Sequence, residues 1–425
     1  MQRIAAGALF LAFLLVACGA PQTLEHDPNT TDNRIGILIF GDSGYHLNYP
    51  DEDDYEDLFT EEGYRESERK NWLKDRRPVN EFESRPFTVS PITGRIVTAT
   101  GMQNIATAMS NFCGNLATCD FGMLLGDNIY PSGATLGADG KDDKQRFKDM
   151  FEDPFGSMVK SPATYRTYVT LGNHDWKSSR AGGFAQIDYL ENQPGFYMDG
   201  PYYSVKPEGT NGDVELFVVD TSMILASVPV LDDSLNPDGS EGSLGEIKPP
   251  NYFVEPLTVD EKNQPTWLEN ALKNSTARWK LVLAHHPIWS SAGGKFEEAR
   301  VLRELILPAM CKYADAYIVG HEHTLEIHTD SCAEALGEPT AKPLVQILSG
   351  AASKQRPLNT AFMKYQELKY PEHKTVFSVG MLWGFSYLDL HGDTASVRMM
   401  SIPDSGGSEI EVLYNYEFER RSGDE

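Results

Sequence analysis

The chain has 425 residues, with 37 Lys and Arg against 62 Asp and Glu, a formal charge of −25. Forty per cent of its residues are hydrophobic, which rules out global disorder, and so acidic a balance argues against a nucleic-acid-binding surface. No apolar run reaches the roughly 18–20 residues that span a bilayer. At about 150 residues per domain, length alone suggests two or three domains.

Arg3 followed by an apolar stretch over 5–16 has the form of a signal peptide. It ends in Leu15-Val16-Ala17-Cys18, which resembles the cleavage box of bacterial lipoproteins; an ordinary signal peptide with an incidental cysteine is the alternative. Residues 1–17 are then the signal peptide, Cys18 the lipidation site, and the polar stretch 18–33 a tether. Acyl chains contribute about 0.8 kcal/mol per buried methylene, so two or three would hold the exported protein at a bacterial membrane. Of the other cysteines, Cys113 and Cys119 bracket a short Gly-Asn turn, and Cys311 and Cys332 flank one strand and its return. Local pairing is the first expectation and buried free thiols the alternative.

Short apolar runs at 35–40, 121–125, 168–171, 281–284 and 316–319 predict buried strands. Amphipathic stretches at 100–112, 144–151, 266–272 and 297–307 predict helices between them, an α/β pattern. From 345 the pattern changes to strands with little helix, at 345–349, 385–390, 396–401 and 411–418. Two segments break the rhythm and read as surface insertions, about 45–96 and 230–256. The first holds eight carboxylates from Asp51 to Glu62; this acidic run reads as a solvated face, the alternative of a calcium loop lacking the EF-hand spacing.

Each of the five early strands ends in a polar cluster. These are Gly41-Asp42-Ser43-Gly44, Gly126-Asp127-Asn128-Ile129-Tyr130, Gly172-Asn173-His174-Asp175, Ala284-His285-His286-Pro287 and Gly320-His321-Glu322-His323. In open α/β sheets, ligands bind at the carboxyl ends of strands. One such cluster is ordinary capping or turn chemistry. Five in succession imply a metal site whose oxygen and imidazole donors suit Fe, Mn or Zn. Asp42, Asp127, Tyr130, Asn173, His285, His321 and His323 are too many for one tetrahedral ion. With Asp127 bridging they divide into two sets of four, and two ions roughly 3.5–4 Å apart can clamp a phosphoryl oxygen and activate a water for in-line attack. A Gly before a ligand frees the backbone for a tight turn.

In this order the clusters resemble the calcineurin-type metallophosphoesterases. Tyr130, three residues after Asp127, narrows the resemblance to the purple acid phosphatases, the small tartrate-resistant kind in particular. Stretches 147–155, 216–220, 285–290, 348–351 and 384–387 are similar to that group as well. The resemblance implies a four-layer α/β/β/α sandwich with residues 34–421 as a single catalytic domain, overriding the length prior. It implies ferric iron held by Asp42, Asp127, Tyr130 and His323, and a second ion (Fe, Zn or Mn) held by Asp127, Asn173, His285 and His321. Asn173 and His174 would meet the substrate, with His174 hydrogen-bonding the phosphoryl group or protonating the leaving oxygen. Asp175 would orient His174 or cap a helix.

Three departures from the family pattern bear on substrate choice. Ser43 stands where close relatives carry an aromatic, which is expected to open the site edge. A substrate-contacting histidine of the relatives falls near 294–295, where Lys295 would supply positive charge or be a solvated surface lysine. The acidic insertion has no counterpart. His286 is read as packing beneath the site and His328 as structural. The implied activity is an acid phosphatase acting on phosphomonoesters. A Mn/Zn phosphodiesterase or neutral phosphoesterase of the same fold, and a non-catalytic surface-binding lipoprotein, are the alternatives.

Overall fold

Continuous apolar runs bury both faces only inside a sheet that is covered on either side. The computed structural model describes residues 34–50, 59–231, 235–240, 242, 247–248, 254–293 and 296–421, and it puts those runs at the middle of two seven-stranded sheets. The first has the order Glu411–Glu419, Thr394–Ile402, Trp383–His391, Arg34–Phe40, Phe121–Leu125, Thr167–Thr170, Phe196–Tyr197. The second runs His373–Val379, Leu325–Asp330, Leu344–Ser349, Ala316–Val319, Trp279–Leu283, Val214–Val218, Tyr203–Val205.

The first sheet is antiparallel on one side and parallel from Arg34–Phe40 to its Phe196–Tyr197 edge, whereas the second has a parallel centre and antiparallel flanks. In the first, Ile37 pairs with Phe121 and Gly122 with Thr167 in parallel, while Leu38 pairs with Tyr387 antiparallel. In the second, Leu281 pairs with both Leu216 and Ala316 in parallel. The strands Phe121–Leu125, Thr167–Thr170 and Ala316–Val319 are buried at every position. The edge strand Glu411–Glu419 alternates between exposed and half-buried residues, as an edge with an open face should.

The sheets pack face to face. Strands Leu325–Asp330 and Leu344–Ser349 lie against Trp383–His391. Ser349 Oγ donates to the Ile39 carbonyl at 3.0 Å across the layers. Helix Met102–Asn115 covers the first sheet, and Gln264–Asn274 packs on the second at Val214–Val218. The result is an α/β sandwich of two sheets flanked by helices, with the parallel strands delivering their carboxyl ends to one crevice. Cys113 is bonded to Cys119 and Cys311 to Cys332.

At its described end, Glu61 and Glu62, the acidic run of the first insertion is exposed as expected, but the insertion is more than a surface loop. Its described part folds into the helix Glu61–Lys74, N-capped by Thr60, and a ribbon of Phe87–Val89 with Ile96–Thr98. Tyr64 and Trp72 are buried in it. The run 51–58, part of the second insertion, and residues 1–33 with Cys18 and the signal peptide lie outside the described residues. No helix among the described residues is long and apolar enough to cross a membrane.

Candidate metal centre

Five strand ends converge, and they bring all seven predicted ligands together. Tyr130 Oη lies 2.8 Å from Asp127 Oδ2, 3.1 Å from Asp42 Oδ1 and 3.1 Å from His323 Nε2. His285 Nε2 lies 3.2 Å from Asn173 Oδ1, 3.2 Å from His321 Nδ1 and 3.3 Å from Asp127 Oδ1. His321 Nδ1 and Asn173 Oδ1 are 3.0 Å apart. Asp127 thus turns one oxygen to each set, which is the geometry of a bridging carboxylate.

These spacings fit metal ions. An ion bonded at roughly 2.1 Å keeps four donors about 3–3.4 Å apart. The donor chemistry agrees. The Leu125 carbonyl, 2.8 Å from His285 Nδ1, takes the proton on that nitrogen and leaves Nε2 with a lone pair toward Asn173 Oδ1 and Asp127 Oδ1. In the neutral imidazole three acceptors face one another at this range, and the site needs a cation among them: a metal ion or, without one, a second proton on His285.

The electrostatics of the site carry the same surplus of negative charge. Burial, with Asp127 adding to it, pushes Asp42 up to about 8. Burial opposes charge on His285, yet Asp127 raises it to about 9. Burial also works against the Asp127 carboxylate, but His285 and then His174 hold it well below the usual range.

The backbone is bent for the purpose. Asp42 (φ 54°), Asp127 (φ 52°) and His321 (φ 70°) occupy the left-handed region, which side-chain-bearing residues enter rarely and mostly at functional sites. The ligands themselves therefore take up the unfavourable angle. The preceding glycines supply space instead: a Cβ on Gly320 would sit 2.7 Å from Asp42 Oδ2, and one on Gly126 would sit 2.8 Å from His285 Nδ1.

His174 stands beside both sets. Its ring centroid is 4.4 Å from that of Tyr130, its amide donates to Asp127 Oδ1 at 2.9 Å, and its Nδ1 is 2.6 Å from the Pro131 carbonyl. Since that carbonyl only accepts, Nδ1 carries the proton, and Nε2 is the nitrogen able to exchange one with a substrate.

Of the two roles expected for Asp175, the structure shows the capping one. Its buried carboxylate accepts from the main-chain amides of Asn128 (2.9 Å), Ile129 (3.0 Å) and Gly172 (2.8 Å). It clamps the second and third strand-end turns together and caps the short helix Asn173–Trp176, so it holds the frame rather than orienting the His174 ring. Ser43 is a correction: it is buried and does not open the edge, and Tyr45 two residues on packs edge-to-face on Tyr130 at 6.4 Å. Lys295 lies outside the described residues. His286 is buried with its ring 4.4 Å from His321 and its Nδ1 2.8 Å from Thr221 Oγ1, packed beside the second set.

Residues that sequence reasoning missed lie on the loop after Leu344–Ser349. Lys354 Nζ sits 4.4 Å from the Tyr130 ring centroid, and Arg356 pairs with Glu322, the residue between His321 and His323. The signal was thin: two cations in a short polar stretch just past a motif.

A bridging carboxylate between two four-donor sets, at the carboxyl ends of parallel strands in an α/β sandwich, defines a two-metal phosphoester site. The chain belongs to the calcineurin-like phosphoesterase family, whose model matches residues 101–325, and is a metallophosphoesterase of purple-acid-phosphatase type. It is 27% identical to purple acid phosphatase 17 of Arabidopsis thaliana over 255 residues, 59% of this chain and 64% of that protein. It is 26% identical to purple acid phosphatase 4 of the same plant, over 68% of this chain and 72% of the relative. The fold is shared with purple acid phosphatase PPD1 of yellow lupin (TM-score 0.50, 15% identity, 91% of this chain and 54% of that one). It is shared too with the Plasmodium protein described as GAP50, the anchor in the inner membrane complex (TM-score 0.55, 14% identity, 92% and 90%).

Proposed function

We propose that the chain is a binuclear-metal acid phosphatase that hydrolyses phosphomonoesters. The observation that carries this reading is Asp127, whose two oxygens serve two donor sets with Tyr130 in one of them. Asp42, Asp127, Tyr130 and His323 would hold one ion, ferric iron, and Asp127, Asn173, His285 and His321 the second. Two ions there supply positive charge against the phosphoryl oxygens and ease deprotonation of a water. The chain's own part falls to His174: with Nδ1 fixed on the Pro131 carbonyl, an imidazolium can give its Nε2 proton to the leaving oxygen. The partly accessible Asn173 side chain flanks the same edge.

The test is elemental analysis with turnover of a chromogenic monoester and diester across pH. Two metals per chain, a visible charge-transfer band from a phenolate on ferric iron, and monoester preference in acid support the reading. Zinc or manganese without colour, with a neutral optimum or diester preference, overturns it. Two bound metals with no turnover would leave a binding lipoprotein.

The N-terminus extends the proposal to an exported protein, lipid-anchored through Cys18; its support is the Leu15–Cys18 box. Cys18→Ser should move the protein from the membrane to the soluble fraction, and retention after a salt wash would count against the anchor.

A further inference from the structure

We propose that Arg356 is a substrate-binding residue whose guanidinium takes a phosphoryl oxygen of the ester on the Tyr130–His323 side of the centre. This deepens, and rests on, the phosphomonoesterase reading. Arg356 lies on the loop that leaves Leu344–Ser349, the strand paired with Ala316–Val319, so it reaches the crevice from the same sheet as His321 and His323.

Its backbone is fixed from several sides. Its amide donates to the His323 carbonyl at 3.1 Å, and its carbonyl accepts from Met381 at 3.0 Å. The next two carbonyls, of Pro357 and Leu358, accept from Arg77 Nη1 at 3.0 and 3.2 Å. Arg77 Nη2 donates to Ala292 at 2.9 Å, so the insertion after Gly44 ties this loop to the turn beside the second donor set.

The side chain is held at one end only. Arg356 Nη1 pairs with the Glu322 carboxylate, and among the described residues no other acceptor bonds the guanidinium. The side chain is 31% accessible, whereas Asp42, Asp127 and Tyr130 are closed off, so Arg356 stands at the mouth of the centre. A planar fork with one nitrogen anchored on a carboxylate and its other N–H groups uncommitted is built to meet a tetrahedral oxyanion. Lys354 has a different place: its ammonium sits over the rings of Tyr130 (4.4 Å) and Tyr45 (5.2 Å).

The test uses the full metal-loaded chain. Calorimetry gives Kd for inorganic phosphate, steady-state kinetics split KM from kcat, and metal content and Tm are read alongside. Arg356→Gln should weaken phosphate binding and raise KM about ten- to hundredfold, with two metals retained and Tm little changed. Arg356→Lys, which keeps the charge without the fork and guards against a misfolded Gln variant, should fall between it and wild type. A wild type that binds and turns over phosphate, with both variants within twofold of it, overturns this assignment alone. So does loss of a metal in Arg356→Gln, which would make Arg356 a prop for His323. A wild type that neither binds phosphate nor turns over esters overturns the phosphatase reading beneath it.

Discussion

Two neighbouring residues at the third strand end show how similar sequence signals separate in three dimensions. His174 and Asp175 both follow the ligand Asn173, and from sequence the pair looks like an acid with its orienting carboxylate. The structure turns the carboxylate to three amides and gives the imidazole a carbonyl. His174→Ala is therefore expected to keep both metals, by elemental analysis, while kcat falls about 10²–10⁴-fold. Metal loss in that variant would move His174 among the ligands. Asp175→Asn is expected to do the reverse. It loses a charge-assisted acceptor for buried amides, a cost of about 1.5–3 kcal/mol in unfolding free energy. The pH profile of the remaining activity should match wild type, because no proton passes through Asp175. A shifted profile would restore the orienting role. The ligands were legible because a donor residue ends each of five apolar runs. Two of Asp175's three amide partners, Asn128 and Ile129, come from a turn 46–47 residues away, and no spacing in the sequence discloses them.

At the scale of elements, the buried parallel strands were read to within a residue or two because they are apolar at almost every position. The packing inside the first insertion was not legible, for the opposite reason. It builds its packing from aromatics under arginine stems, with Arg69 4.5 Å over Phe82, Arg77 5.4 Å over Trp72 and Arg65 5.3 Å over Phe87. A charge-rich pattern of that kind looks solvated in a hydropathy reading, although the guanidinium planes cover rings. The insertion also reaches the site edge: Arg77 binds three carbonyls on two rim loops, and Glu81 accepts from Thr360 Oγ1 at 2.7 Å. Arg77→Ala should then loosen the 354–359 loop. In hydrogen–deuterium exchange the amides of Arg356 and Asn359, bonded to the carbonyls of His323 (3.1 Å) and Ser291 (2.8 Å), should exchange faster while strand amides at 316–319 keep their protection. Unchanged exchange at both amides would mean that the loop holds itself and that the insertion only covers it.

For the molecule as a whole, the proposed work in acid demands that the fold survive protonation, and one buried cluster outside the centre bears on that. His373 stacks on Trp289 at 4.3 Å and lies 2.9 Å from His328 Nδ1, while His328 Nε2 is 2.6 Å from the buried Glu326 carboxylate. That carboxylate also accepts from the Ser291 amide at 2.7 Å and the Thr324 hydroxyl at 2.7 Å, so the chain of bonds runs under the rim turn next to the second donor set. His328 thus stands between Glu326 at its Nε2 and His373 at its Nδ1, and His373 is satisfied in its neutral form. Burial, reinforced by His328 and by Arg303, whose guanidinium lies over the same Trp289 ring at 4.2 Å, lowers His373 from an ordinary 6.5 to about 2. The sign follows from that depression. Above pH 6.5 both folded and unfolded chains keep this imidazole neutral, and the contribution is fully present. As pH falls from 6.5 toward 2 the unfolded chain takes up a proton that the folded one refuses, and stability is lost. His373→Phe retains a ring to stack on Trp289 but has nothing to titrate. Wild type should be the more stable at pH 7, where the His373–His328 bond is intact, and its lead in Tm should shrink by about 2–4 °C or reverse by pH 5. The two proteins, loaded with metal, would be melted at both pH values. An equal Tm gap at the two would show that His373 titrates alike folded and unfolded, and the acid sensitivity of the fold would have to lie elsewhere.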